Sequence, residues 1–331
     1  MKNGGRDMKT NQSEINVSHE WGALKEVILG IGEDLIEPEY NKSVTFIYDK
    51  KYLEAMKKYG GQAIKDIEPE IAKQVKQQID GLANLLEKRG IIVHRSHRLK
   101  SEEMQYLTNI QKGAMFLYAR DPILVIGHHV IETALKVPMR TKEKFAIRPI
   151  LQERLKNNSA QYVSIPSVSP AFDENNIYLE GGDVLLNGND IYVGNSGRAS
   201  NGAGIAWLQN YLGSQYHVHE IKLSSDFEHL DCVMALLRPG LGIIYSKGIK
   251  SALPDSLKDW DFIEVTDEEV KRLAANAFVL DAETAILDAQ HHLIAEELRK
   301  RGHTIIELPY DKVATFGGAF RCSHHPLVRE I

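Results

Sequence analysis

Only two cysteines, Cys232 and Cys322, occur among the 331 residues, too few and too far apart for a disulfide framework. No apolar run approaches the roughly 18 residues of a membrane helix, and the opening stretch MKNGGRDMKTNQSEIN lacks the apolar core of a secretory signal. The chain therefore reads as cytoplasmic, in a reducing compartment, with no membrane partner. A basic surplus is missing too: 40 Lys and Arg stand against 45 Asp and Glu, a net charge of −5. Nothing draws a phosphate backbone, so nucleic acid is excluded as a partner. No group of His, Cys, Asp and Glu has zinc-site spacing and no phosphate-binding loop is present, so neither a metal nor a cofactor is expected.

What is present describes an ordinary globular α/β chain, with 43% hydrophobic and 26% charged residues. Length alone suggests two domains, but no low-complexity linker divides the chain. Residues 1–15 are polar and predicted to be a mobile extension, leaving 16–331 as one unit. The first strand runs over Leu24–Ile31. Ile71, Val75, Ile79, Leu82 and Leu86 recur at helical spacing and predict an amphipathic helix over Glu68–Arg89, ended by Gly90. Hairpin-like pairs follow, among them IYLEGGDVLL with DIYVGN, turning at Asn187-Gly188-Asn189, and CVMALL with LGIIYS, turning at Arg238-Pro239-Gly240. Helices are expected near Ala203–Leu212, Asp267–Ala275 and around Ile294 and Leu298. Gln161–Asn176, with Pro166 and Pro170, reads as loop. The order strand, hairpin, helix, strand recurs several times.

Four segments carry chemistry. In GGAFRCSHHPLVRE, Cys322 follows the glycines Gly317 and Gly318, which admit a ligand close to the backbone, and Arg321, a cation that favours thiolate. A buried, inert cysteine is the alternative. Arg120-Asp121-Pro122 places a carboxylate at a turn, although Asp-Pro is a common turn pair. Glu180-Gly181-Gly182-Asp183 sets two acids around two glycines in a strand-like context, where glycine marks close approach or a bulge. His229-Leu230-Asp231 opens a strand whose alternation puts His229 and Asp231 on one face, while Cys232 faces the core. A thiol, a histidine and four carboxylates suit a guanidinium substrate. Carboxylates hold that planar cation by paired hydrogen bonds, a thiolate attacks its carbon from above the plane, and a proton donor releases the departing nitrogen.

The ordered set ARDP, EGGD, HLD and GGAFRC, spread over most of the chain, resembles the guanidino-group-modifying enzymes: amidinotransferases, arginine deiminases and dimethylarginine hydrolases. That resemblance implies a five-bladed α/β-propeller, the pentein fold, of repeated ββαβ-type units, with the site on the central axis. It also implies that Asp121 and Asp231 clamp the guanidinium, Glu180 and His229 handle orientation and proton transfer, Asp183 lines the pocket, and Cys322 forms the covalent intermediate. Asn276, in LAANAFVLD, falls where these enzymes place a pocket asparagine; capping of buried backbone is an equal reading. A homo-oligomer is in keeping with the family.

EWGALKEVILG, HHVIETALKVPMRTKEKFAIRPIL and SNGAGIAWLQNYLGSQYHVHEI resemble amidinotransferases of the glycine type, whereas EGGD replaces their F-D-A-A-D and matches the hydrolases. After Pro239-Gly240, Lys247 and Lys250 stand where those enzymes carry an arginine for the donor carboxylate. Arg198 and Arg140 are also available to pair with a substrate carboxylate, or are simply solvated. The expected reaction is transfer of an amidino group from arginine to an amine acceptor through S-amidino-Cys322, with ornithine released. The alternative is a deiminase or related hydrolase giving citrulline and ammonia. A third reading is an inactive propeller serving as a binding protein, which would have no reason to retain thiol, histidine and acids together. The histidine pairs 128/129, 291/292 and 324/325 diverge rather than converge on a metal; His324 and His325 are near enough to Cys322 to tune it or to contact substrate.

Overall fold

A computed structural model describes residues 13–40, 50–106, 112–169 and 173–331. Among the described residues, fifteen strands form five sheets of three. In chain order they are β1 (Ala23–Leu29), β2 (Ile92–Arg95), β3 (Ile123–Ile126), β4 (His129–Glu132), β5 (Gln161–Ser164), β6 (Val184–Asn187), β7 (Asp190–Asn195), β8 (His217–Lys222), β9 (Met234–Arg238), β10 (Leu241–Ile244), β11 (Asp261–Glu264), β12 (Phe278–Asp281), β13 (Thr284–Asp288), β14 (Thr304–Leu308) and β15 (His324–Glu330). The sheets are β15-β1-β2, β3-β4-β5, β6-β7-β8, β9-β10-β11 and β12-β13-β14. In each, the first strand pairs antiparallel with the middle one, which pairs parallel with the third. The parallel step needs a crossover. Four blades make it with a helix: Pro69–Lys88, Glu143–Leu155, Gly202–Leu212 and His292–Lys300. In the β9-β10-β11 blade the crossover holds only single turns at Ser246–Gly248 and Asp255–Leu257, so the ββαβ unit is complete in four blades of the five.

Burial follows position in the blade. The first strands are buried throughout or nearly so, and all but β15 are mostly apolar, as in ILVI of β3 and MALLR of β9, because both their faces meet protein. The third strands are outer edges and carry polar residues, as in QYVS of β5 and HVHEIK of β8. First strands meet across blades, β15 against β3 and β12 against β9, so they line a central axis. The last strand, β15, joins the first blade and closes the ring. β15 carries Pro326 at an outer position of its sheet, where β1 is its strand partner and a bridge from Asn16 to Val328 meets its other side further along.

Three expectations change. Residues 1–12 lie outside the described ones, but Ser13–Ile15 are not mobile: Arg154 donates to the Ser13 carbonyl at 2.8 Å and Ile15 is 0% exposed. The segment read as loop from Gln161 holds β5, a four-residue edge strand that two prolines downstream disguise; Pro170 lies outside the described residues. The helix from Asp267 stops at Val270 because Leu273 adopts φ +59°, which turns the chain inward and delivers Asn276 to the axis.

Candidate active site

Every blade contributes immediately upstream of its first strand. Asp121, Asn276 and Cys322 each stand two residues before β3, β12 and β15; Glu180 and Asp183 lead into β6, and His229 and Asp231 into β9. Two of these lead-ins are not the strands expected. Gly181–Asp183 and Leu230–Cys232 are single 3₁₀ turns, each preceded by an extended residue, Glu180 and His229. His229 and Asp231 thus reach the site from the two ends of a turn, not by strand alternation.

The acid half centres on Asp121 and Glu180. His229 Nε2 donates to Glu180 Oε2 at 3.0 Å and lies 3.9 Å from Asp121 Oδ1. The backbone N–H of Gly182 donates to Asp121 Oδ1 at 2.7 Å. Glycine is required there: a Cβ would sit 2.7 Å from the His229 ring and 2.8 Å from Asp121 Oδ1. Glu180 Oε1 accepts from the Lys136 N–H at 2.8 Å, and Thr133 Oγ1 donates to the Asp121 carbonyl at 2.6 Å. Arg140 penetrates this group, donating to Asp121 Oδ2 at 2.7 Å and Glu180 Oε2 at 3.2 Å. It is 7% exposed, neither solvated nor open to a substrate carboxylate in this arrangement.

The thiol half centres on Cys322, 5% exposed. Asn276 Nδ2 donates to its Sγ at 3.2 Å and to the Asp231 carbonyl at 3.1 Å. Asn276 Oδ1 accepts from the N–H groups of Arg321 at 2.9 Å and Cys322 at 3.3 Å. Both readings of Asn276 therefore hold at once: it touches the thiol and satisfies buried backbone. Asp231 Oδ2 lies 3.7 Å from Sγ. Gly318 permits this packing, since its Cβ would meet the Tyr118 ring at 2.6 Å and Cys322 Cβ at 2.9 Å.

Arg321 does not serve the thiol. It donates to Glu20 through Nε at 3.1 Å and Nη2 at 2.9 Å, to Asp231 Oδ2 at 3.1 Å and to the Val184 carbonyl at 2.7 Å. Burial pushes the Cys322 thiol well above its ordinary value, and the carboxylates of Asp231 and Asp121 push it further. The expectation that Arg321 favours thiolate is corrected: its charge is absorbed by two acids. His324 and His325 do not tune the thiol by charge. Burial holds both well below the usual imidazole range, with Arg120 adding to the effect. Through neutral rings they frame Arg120, whose Nη2 meets His324 Nε2 at 3.2 Å and whose carbonyl meets His325 Nδ1 at 3.2 Å.

His229 behaves oppositely. Burial alone would lower it, but Asp121, Glu228 and Glu180 raise it well above the ordinary value, so it stands as a proton donor. Burial alone would raise Asp121, and His229 and Arg140 reverse this to hold it low. Asp183 does not line a pocket. It is 0% exposed and accepts from the N–H of Leu230 at 3.0 Å and of Ser200 at 3.1 Å, bolting the His229 turn to the loop after β7; burial pushes its carboxyl up to about 7. Arg198 stands on the turn after β7, two residues before Ser200, whose Oγ accepts from the Glu180 N–H at 3.0 Å. Lys247 pairs with Asp267 at the surface at 2.6 Å. Asp121, Glu180 and His229 bring one donor atom each within 4.8 Å of one another, near enough for an ion, but Arg140 already meets both carboxylates and His229 is bound to Glu180. Sequence reasoning missed Glu20, Glu143 and Glu228, although Glu228 directly precedes His229 and the other two lie in EWGALKEVILG and HHVIETALKVPMRTKEKFAIRPIL.

A family model described as N,N dimethylarginine dimethylhydrolase, eukaryotic, matches residues 57–329. The chain belongs to this family. With it, the chain falls within the guanidino-group-modifying pentein enzymes, and the five sheets around one axis are their propeller. The uncharacterized protein YkgA of Bacillus subtilis is 30% identical over 214 residues, covering 64% of this chain and 70% of that one. Inosamine-phosphate amidinotransferase 1 of Streptomyces glaucescens is 25% identical over 344 residues, covering 94% and 95%. The solved structure of SxtG, an amidinotransferase from Microseira wollei, superposes with a TM-score of 0.81 at 23% identity, covering 95% and 97%. Among the described residues no helix is long and apolar enough to cross a membrane.

Proposed function

We propose that the protein is an amidinotransferase that takes the amidino group of arginine onto Cys322 and passes it to an amine. The carrying observation is the convergence of one thiol, one protonated imidazole and an excess of buried carboxylates. Such a site attracts a cation, holds its plane and supplies a nucleophile with a proton donor. Relatedness to an amidinotransferase along nearly the whole chain supports transfer over hydrolysis.

Asp121 and Asp231 hold the guanidinium edges. The arriving cation offsets the carboxylates that keep Cys322 protonated; the thiol proton passes to solvent, to be taken back when the cysteine is released, and Sγ bonds to the central carbon. His229 gives its proton to the side-chain nitrogen as that C–N bond breaks, and ornithine leaves. Neutral His229, oriented by Glu180, then takes a proton from the incoming amine while that amine bonds to the amidino carbon. The S–C bond breaks and the cysteine is restored, so the imidazole proton is returned and no cofactor is consumed. Arg198, on the turn beside Glu180, receives the donor carboxylate.

The matching family model and the EGGD sequence favour a second reading, hydrolysis. There an end nitrogen leaves, the carbon skeleton stays on Cys322 and water releases it. Arginine labelled in its guanidino carbon, incubated with and without a panel of amines, separates the two. Transfer predicts a labelled guanidino product, and ornithine beyond about one per chain, only when an amine is supplied. Citrulline formed without any amine contradicts it.

A further inference from the structure

The chemistry outlined above uses Asp121, Glu180 and His229, yet the group that touches both carboxylates is an arginine of the chain itself. Arg140 lies in the turn Pro138–Lys142, and its guanidinium fork is fully engaged. Nε and Nη2 donate to the two oxygens of Glu143 at 2.8 and 3.0 Å, Nη2 also to Asp121 at 2.7 Å, and Nη1 to Glu180 at 3.2 Å with Glu228 at 3.8 Å. Four carboxylates thus surround one buried guanidinium, and His229 is the other cation facing them.

We propose that Arg140 is a positioning residue for the guanidino chemistry, a built-in guanidinium that holds Asp121 charged and aims both Asp121 and Glu180, with Glu143 as its anchor. The inference rests on the guanidino-directed reading of the site. Without Arg140, Asp121, Glu143, Glu180 and Glu228 would face one another around His229 alone, with Asp183 and Asp231 adding negative charge from the adjoining turns. Crowded buried carboxylates take up protons rather than share a site, and a protonated Asp121 has no charge to offer an incoming cation. The anchor already shows this cost: burial pushes Glu143 up to about 7, against the pull of Arg140, while Asp121, closer to both cations, stays low. Both Glu143 oxygens are taken by Nε and Nη2 of Arg140, which leaves Nη1 and the second face of Nη2 directed at the catalytic acids. Lysine would keep the charge and lose the fork.

The test is calorimetric titration of arginine into Cys322→Ala protein across pH, alone and combined with Arg140→Lys, Arg140→Gln or Arg140→Met, with thermal unfolding to verify that each variant is folded. Glu143→Gln serves as a second, gentler variant. The expected result is that Gln and Met move the acidic limb of binding upward by about one pH unit, a roughly tenfold weakening below neutrality that recovers at higher pH. Arg140→Lys restores most of the limb, and Glu143→Gln shifts it less. The proposal is overturned if Gln and Met weaken binding by the same factor at every pH, or leave it unchanged. Absence of arginine binding in the Cys322→Ala parent overturns the guanidino reading itself, and the role of Arg140 with it.

Discussion

On the acid side of the site, Asp121 and Glu180 face two cations, Arg140 and His229; on the thiol side, Cys322 faces Asp231, whose own cation, Arg321, is shared with Glu20. The acid side is charged and assembled before anything binds. The thiol side is neutral at its centre, because the nearest charges oppose the thiolate. In the proposed reaction, a nucleophile held as a thiol until a cation arrives is protected from idle oxidation and alkylation, and is switched on by the charge of the molecule it is to attack. On the proposed reading the same carboxylates do two things: they silence Cys322 in the free protein and bind the group that wakes it.

The contrast can be broken most severely at its seam, where Gly182 separates the His229 ring from Asp121. Gly182→Ala inserts a methyl into contacts of 2.7 and 2.8 Å. About a hundredfold loss of kcat/KM is expected, since displacement by about 1 Å carries a penalty of that size, together with an overpacking cost of about 1–3 kcal/mol in stability. Steady-state kinetics beside a thermal melt checks it. On the thiol side, Asp231→Asn removes the carboxylate that opposes ionisation and leaves the Arg321 cation in place. Alkylation of Cys322 by iodoacetamide should then rise about tenfold at neutral pH, its profile moving to lower pH, while turnover falls. Slower alkylation would refute the account of the silent thiol. The smallest effect concerns Asp183, which belongs to neither half. Burial pushes its carboxyl up to about 7, so the folded chain holds a proton there that the unfolded chain has released. Its contribution to stability is greatest below the ordinary carboxylate range and declines as pH rises toward about 7. In Asp183→Asn that share of the slope disappears from urea melts run across this range, at a cost of about 1–3 kcal/mol for the buried N–H groups left with poorer acceptors.

How much of this was legible in the letters depends on sequence distance. EGGD and GGAFRC announced themselves because glycine pairs beside chemical groups mark close approach, and Gly182 and Gly318 are indeed packed against His229 and Cys322. The helix Pro69–Lys88 was legible from its buried stripe of Val75, Ile79, Leu82 and Leu86. Turns were misread as strands at Gly181–Asp183 and Leu230–Cys232 because the apolar strands just after them extend the pattern. The ion pairs were illegible for a plainer reason. Arg140 lies 40 residues from Glu180, and Arg321 lies 301 from Glu20; only closure of the ring brings them together. Charge assigned from neighbours in sequence thus gave Arg321 to Cys322, when the fold gives it to Asp231 and Glu20.

The account stands most directly on what becomes of Cys322. Wild-type protein is mixed with arginine in the absence of any amine, quenched with acid, and the intact chain and its Cys322 peptide are weighed by mass spectrometry. The account predicts an amidino group on Cys322 with about one ornithine released per chain, as the first half of a two-step transfer. An unmodified Cys322, together with turnover that survives Cys322→Ala, would contradict it.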